Sequence, residues 1–138
     1  MRTISLSVVP GMYAVVRLPP ETAPPAWAQL GQLCSMTRTT NELSIVCESA
    51  GVPADVEKED GCRALVVDGR LEFGLTGILA AIATPLAAAG VSIFALSTYQ
   101  TDYVLVPDRD LPRAVAALVQ AGHTVADDDA YLRRSSYT

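Results

Sequence analysis

The chain has 138 residues, half of them apolar, with ten Lys and Arg against fifteen Asp and Glu and a formal net charge of -5. That length suffices for one ordinary domain or two very small ones sharing a core, and burial is not limiting. The thinly spread basic residues exclude a nucleic-acid surface, which needs a basic patch, and no run approaches the roughly 18 uninterrupted apolar residues of a membrane span. Met1-Arg2-Thr3-Ile4-Ser5 carries one charge and then alternates like a strand instead of opening an apolar signal segment, so a cytoplasmic protein without a membrane partner is expected.

In chain order, Ile4, Leu6 and Val8 alternate with Ser5 and Ser7 and predict a strand, closed by a turn at Pro10-Gly11. Met12 to Leu18 predicts a second strand. Pro19, Pro20, Pro24 and Pro25 then forbid regular structure until a short helical piece from Ala26 to about Leu33, anchored by Trp27. Cys34 to Glu48 has the pattern of a hairpin, with Arg38-Thr39-Thr40-Asn41-Glu42 at its tip and Met36, Leu43, Ile45 and Cys47 on one buried face. Between Ser49 and Gly61 the charged run Asp55-Val56-Glu57-Lys58-Glu59-Asp60 is the strongest composition shift, and a domain boundary is placed there.

Arg63 to Asp68 predicts a further strand with a corner at Asp68-Gly69, continued through Leu71, Phe73 and Leu75 to a second corner, Gly74-Leu75-Thr76-Gly77. A helix follows from about Gly77 to Ala89, with Thr76 as N-cap, a stripe of Ile78, Leu79, Ile82 and Leu86, and Gly90 as its stop. Pro85 lies inside it and should kink the helix or sit where a preceding carbonyl is turned away. Val91 to Ser97 and Tyr103 to Val106 predict a second hairpin. A second helix starts at Asp110 as N-cap, presents Leu111, Val115, Leu118 and Val119 on one face and stops at Gly122. His123 to Ala126 can form a last strand before a polar tail, with His123 read as a charge partner for the helix end and not as a catalyst.

Three cysteines, Cys34, Cys47 and Cys62, have no CxxC spacing and His123 is the sole histidine, which is poor material for a metal or a disulfide framework. With a two-residue turn at Thr40-Asn41, Cys34 and Cys47 would fall opposite each other; small buried thiols in a reducing compartment are the preferred reading. No cofactor is expected. A nucleophile elbow, a P-loop and a histidine with an evident acid or base partner are all missing from the sequence, so catalysis is not expected.

Two matches point to an internal repeat: Leu6-Ser7-Val8-Val9-Pro10-Gly11 with Ala64-Leu65-Val66-Val67-Asp68-Gly69, and Thr37 to Val46 with Ser97 to Val106. The second copy runs strand, helix, strand, strand, helix, strand, the ferredoxin-like βαββαβ order of an α+β fold; the first copy is degraded. The corner at the helix start offers free backbone N–H groups and the tip Ser97-Thr98-Tyr99-Gln100-Thr101-Asp102 offers hydroxyls, an amide and a carboxylate, a set that suits a small zwitterion.

A βαββαβ unit of this size with a glycine corner before its first helix resembles an ACT domain, a small amino-acid-sensing module. The run Val91 to Val106 is very similar to the repeated ACT segments of the animal cytosolic arginine sensors, and the likeness extends over the Leu6-to-Gly11 corner, the first hairpin and the whole second unit. The resemblance implies two ACT units in tandem: residues 1–60 as a degenerate N-terminal unit, 61–130 as the C-terminal ACT unit and 131–138 as a tail. At about half the sensors' length, the chain is expected to pair with a second copy as a homodimer. The family's ligand site lies between ACT units of different halves. Carried over residue by residue, it implicates Gly77, Ser92, Ile93, Thr98, Tyr99 and Asp102. Gly77 would let a ligand approach the backbone, Ser92 and Thr98 would hydrogen-bond it, Tyr99 would wall it and Asp102 would meet an amine or guanidinium. The implied function is a regulatory protein that senses a free amino acid at an inter-ACT interface. The alternatives are a regulatory subunit that docks on an unidentified protein partner such as a metabolic enzyme, and a small enzyme whose site forms only in the oligomer.

Overall fold

In a computed structural model of the chain, residues 3–69 and 76–127 are described. The expected continuation through Leu71, Phe73, Gly74 and Leu75, and the tail beyond Asp127, lie outside them. The elements are β1 (Ser5–Leu18), a 3-10 turn (Ala26–Ala28), β2 (Ser35–Arg38), β3 (Leu43–Glu48), a 3-10 turn (Ser49–Gly51), β4 (Lys58–Val67), α1 (Ile78–Ala88), β5 (Phe94–Ser97), β6 (Asp102–Pro107), a 3-10 turn (Asp108–Asp110), α2 (Leu111–Gln120) and β7 (Thr124–Ala126). Contacts group the chain into one unit of Gly11–Cys62 and another of Met1–Pro10 with Arg63–Thr138. The first ten residues thus go with the later part of the chain, which a simple division at residue 60 does not anticipate.

The Gly11–Cys62 unit follows the order strand, turn, strand, strand, turn, strand, with three-residue 3-10 turns where a βαββαβ unit has helices. The helical piece expected to reach Leu33 is confined to Ala26–Ala28, and the chain bends after it at Gln29 and again at Gly31, whose φ is +86°. β3 pairs antiparallel with β1 from Tyr13↔Glu48 to Leu18↔Leu43 and with β2 from Ser35↔Val46 to Arg38↔Leu43. Ala14, Val16, Ala28, Leu43, Ile45 and Cys47 form its core, with Trp27 and Met36 packed against them. The Arg38 guanidinium donates to the carbonyls of Pro20 and Thr22 and fastens the proline-rich loop to the hairpin.

In the other unit β1, β4, β6 and β5 are neighbours in that order, and Ser5–Ser7 of β1 also pair parallel with β7. The βαββαβ order of β4, α1, β5, β6, α2 and β7 is therefore present, with the start of β1 as an extra strand between β4 and β7. The turn expected at Pro10-Gly11 is absent: β1 continues through it. Those two residues fall between the β1 ladder to β7 (Ser5–Ser7) and the ladder to β3 (from Tyr13), so on that side the missing proline N–H costs no ladder bond.

Ile78, Ile82 and Leu86 of α1 and Ala114 and Leu118 of α2 pack on Leu6, Val8, Leu65, Val67, Val104 and Val106. Leu79 and Val119, expected on the buried faces, are exposed, because each lies about 100° around its helix from the buried residue before it. Both helices close alike: Gly90 N–H donates to the Ala87 carbonyl and Val91 N–H to that of Leu86, and Gly122 and His123 do the same to Val119 and Leu118. The N-caps differ from expectation. Gly77, at φ +79°, caps α1 without a side-chain bond, which leaves Thr76 outside the helix start; the Asp110 carboxylate makes no cap bond and pairs with Arg113 at 3.0 Å. Among the described residues no helix is long and apolar enough to cross a membrane.

Candidate ligand-binding site

The hairpin of β5 and β6 is in register from Phe94↔Leu105 to Ser97↔Asp102. Its tip is closed by the Thr98 N–H donating to the Thr101 carbonyl at 2.8 Å, and the Thr98 hydroxyl oxygen accepts from the N–H groups of Gln100 and Thr101 at 3.3 and 3.2 Å. The Ser97 hydroxyl donates to Asp102 Oδ1 at 2.6 Å, while Oδ2 makes no hydrogen bond among the described residues. The Thr101 hydroxyl, buried, donates to the Val67 carbonyl at 2.7 Å and ties the tip to the end of β4. The next residue, Asp68, accepts the Ser7 hydroxyl at 2.7 Å and its N–H donates to the Ser5 carbonyl at 2.8 Å. The tip is thus tied to the end of β4, and Tyr99 on it is 67% exposed.

Of the six residues singled out in the sequence, Thr98, Tyr99 and Asp102 share this tip, and Ser92 and Ile93 lie exposed on the approach to β5. The Thr98 hydroxyl is already engaged by its own turn, so as a ligand contact it has less to offer than Asp102. Gly77 opens α1, and a Cβ added there would meet nothing within 4 Å. That open space leaves the backbone accessible. Gly77 also lines a groove of about 530 Å³ along α1 with Thr76, Ala80, Thr84, Pro85 and Ala88. The other five residues do not line this groove. The site is therefore two features, a polar tip and an apolar groove, of which Gly77 belongs to the second.

Three polar arrangements went unseen in the sequence. Thr101 to Val67 and Ser7 to Asp68 join segments far apart in the chain and have no local signal. His123 does have one. Pro85 has no N–H, so the carbonyl four residues earlier, Ala81, lacks its helical donor; His123 Nε2 lies 3.0 Å from it. Nδ1 accepts the Ile4 N–H at 3.1 Å, which assigns the ring proton to Nε2 and makes it the donor to Ala81. His123 is 3% exposed and bridges Ile4 and Ala81, where a charge partner for the helix end was expected.

The Ser49 hydroxyl and the Gly61 N–H both donate to Asp60 and hold its carboxyl below the usual range. Burial pushes up the thiols of Cys34 and Cys62, and pushes Cys47 to about 11 with help from nearby Cys34. All three thiols are free; Cys47 is buried as expected, Cys62 is half-buried, and Cys34 is exposed, contrary to the expectation of a buried thiol there. Among the described residues no group of three or more His, Cys, Asp and Glu is placed to hold a metal ion.

Residues 57–120, which span β4, α1, the tip, β6 and α2, match the family model of the ACT domain, and residues 11–55 match a separate model described as an N-terminal domain. Residues 57–120 of the chain are thus an ACT domain. The chain resembles the human protein CASTOR3P, 54% identical over 56% of each chain, and the human cytosolic arginine sensor for mTORC1 subunit 1, 45% identical over 34% of this chain and 14% of that one. The chain thus spans about half of the first relative's length and a small part of the second's. Among solved structures it is similar to the protein Atu0741 from Agrobacterium tumefaciens, with 37% identity, a TM-score of 0.87 and 92% and 95% of the two chains covered. In fold alone it is like the regulatory subunit of aspartate kinase from Thermus thermophilus, at 10% identity and a TM-score of 0.59, with 88% and 99% covered.

Proposed function

We propose that this chain is a non-catalytic regulatory protein of the cytoplasm that binds a free amino acid where ACT units of two copies meet. The observation that carries this reading is the tip of β5 and β6: inside the ACT match, it presents the half-buried Asp102, one of whose carboxylate oxygens has no partner among the described residues, beside the exposed Tyr99. An ammonium or guanidinium is the natural complement of such a carboxylate, and the amide-rich start of α1 at Gly77 suits the ligand's own carboxylate. The Gly11–Cys62 unit is, in this proposal, a degenerate ACT copy that keeps the strand order and has lost the helices. His123 speaks against an acid–base catalyst, since both of its ring nitrogens are engaged with backbone groups.

The test is a thermal-shift screen of the proteinogenic amino acids followed by calorimetry on the hits. A ligand that binds only the folded state raises stability by about 2.7 kcal/mol at one hundred times its Kd. One or a few amino acids should therefore raise the melting temperature in a saturable way; a flat response across the whole panel rejects the sensor.

A further inference from the structure

Cys34 lies one residue before β2 and Cys47 lies on its partner β3. The last register pairs are Met36↔Ile45 and Ser35↔Val46, and one step further sets Cys34 opposite Cys47. The chain keeps to that line beyond β2: the Gln32 N–H donates to the Glu48 carboxylate at 3.3 Å, and a side chain at Gly31 would collide with Glu48. Met36 packs against the core that holds Ile45 and Cys47; Cys34, one residue outside β2, is exposed, while Cys47 is buried.

The hydrogen-bond phase also favours the pair. The Thr39 N–H donates to the Glu42 carbonyl at the tip, and bonded and non-bonded pairs alternate along antiparallel strands. Counting back, Thr37↔Ser44 and Ser35↔Val46 are bonded pairs, whereas Met36↔Ile45 and Cys34↔Cys47 are non-bonded. Cα atoms of a non-bonded pair lie about 4.5 Å apart, within the roughly 4.4–6.8 Å that a disulfide accepts.

We propose that Cys34 is a redox modification site with Cys47 as its resolving thiol, and that a low-molecular-weight disulfide converts the pair to a cross-strand disulfide. The exposed Cys34, as thiolate, attacks one sulfur of the small disulfide; the S–S bond breaks and one thiolate leaves with the electron pair and takes up a proton. Cys47, as thiolate, then attacks the Cys34 sulfur of the mixed disulfide and expels the second small thiol. The two protein thiols lose two electrons and two protons, and the small disulfide gains them as two thiols. A reducing thiol pool reverses the step.

The experiment uses the full chain with oxidised glutathione as probe, read by intact mass and by peptide mapping without reductant. The expected product has lost two hydrogens, retains no glutathione, has one free thiol left of three, and links the peptides of Cys34 and Cys47. Cys47→Ala should trap glutathione on Cys34, and Cys34→Ser should leave Cys47 unmodified. The cross-linked form should melt roughly 10 °C higher than the reduced one. Glutathione retained on wild-type Cys34, a bridge that includes Cys62, or failure of the pair to react would each overturn the proposal. Should Cys47→Ala not fold, the wild-type map decides alone.

Discussion

His123 serves two backbone groups at once, the Ile4 N–H and the Ala81 carbonyl that Pro85 deprives of its helical donor. Leaving a buried polar group unsatisfied costs about 1–3 kcal/mol, so His123→Ala should destabilise the protein by about 3 kcal/mol in urea denaturation. Pro85→Ala supplies a helical N–H for Ala81. In that background the loss from His123→Ala should be about 1 kcal/mol smaller; strictly additive losses would rule out the coupling. Asp102 poses a sharper question, because its carboxylate both accepts from Ser97 and faces outward. Asp102→Asn keeps size and turn competence and removes the charge. If the carboxylate meets the ligand's cation, a folded Asp102→Asn protein should bind its amino acid tens to thousands of times more weakly, the equivalent of about 2–5 kcal/mol; unchanged affinity by calorimetry would take Asp102 out of the site. Cys47 gives a pH signature. Burial raises its pKa to about 11 in the folded state, so between its ordinary value and about 11 the unfolded chain has lost a proton that the folded chain keeps. Its contribution to stability is full below pH 9 and falls as pH rises through about 11. Denaturation of wild type and Cys47→Ala across this range should show a steeper alkaline loss in wild type.

At the scale of elements, the two hairpins are copies to the level of individual hydrogen bonds. Thr39 N–H to Glu42 carbonyl matches Thr98 N–H to Thr101 carbonyl, and the hydroxyl of Thr39 accepts from Asn41 and Glu42 as that of Thr98 does from Gln100 and Thr101. This equates Thr39 with Thr98, one step away from the sequence match of Arg38 with Thr98. The tip chemistry, a threonine whose side chain replaces a carbonyl in the turn, sets the true register. The structural counterpart of Asp102 is accordingly Leu43, paired with Arg38 as Asp102 is with Ser97. The first copy therefore lacks the carboxylate at that position, which supports assigning ligand binding to the second.

For the whole molecule, β5 ends its strand order with β6 as its neighbour, and beside it Ile93 and Phe94 are 36% and 41% exposed. α1 has no charged residue, and its outer face carries the exposed Leu79 and the apolar groove. Open strand edges and charge-free helix faces invite partners, so we propose that two copies pair through the β5 edge or the α1 face. Light scattering should give the mass of two chains at working concentrations. Phe94→Lys or Leu79→Asp should shift that mass toward one chain, and the interface is whichever face responds. A monomeric wild type would defeat the proposal and, with it, a ligand site shared between copies.

Local pattern alone determined the two hairpins, both helices, their glycine stops and the βαββαβ order, because strand alternation, helical periodicity and glycine stops act within a few residues. It also located the polar tip, where Thr98, Tyr99 and Asp102 are sequence neighbours. Tertiary structure decided what depends on distant partners. β1 continues through Pro10-Gly11, and its ladder to β7 lies before these residues and its ladder to β3 after them. The start of β1 joins a unit made mostly of residues after Cys62, and Gly77 stands apart from the tip as the head of an apolar groove. His123 is buried because Ile4 and Ala81, 119 and 42 residues away in the chain, present it with a donor and an acceptor. Hydrogen bonds between remote segments leave no period or spacing in the sequence; they exist only once the strands and helices have packed.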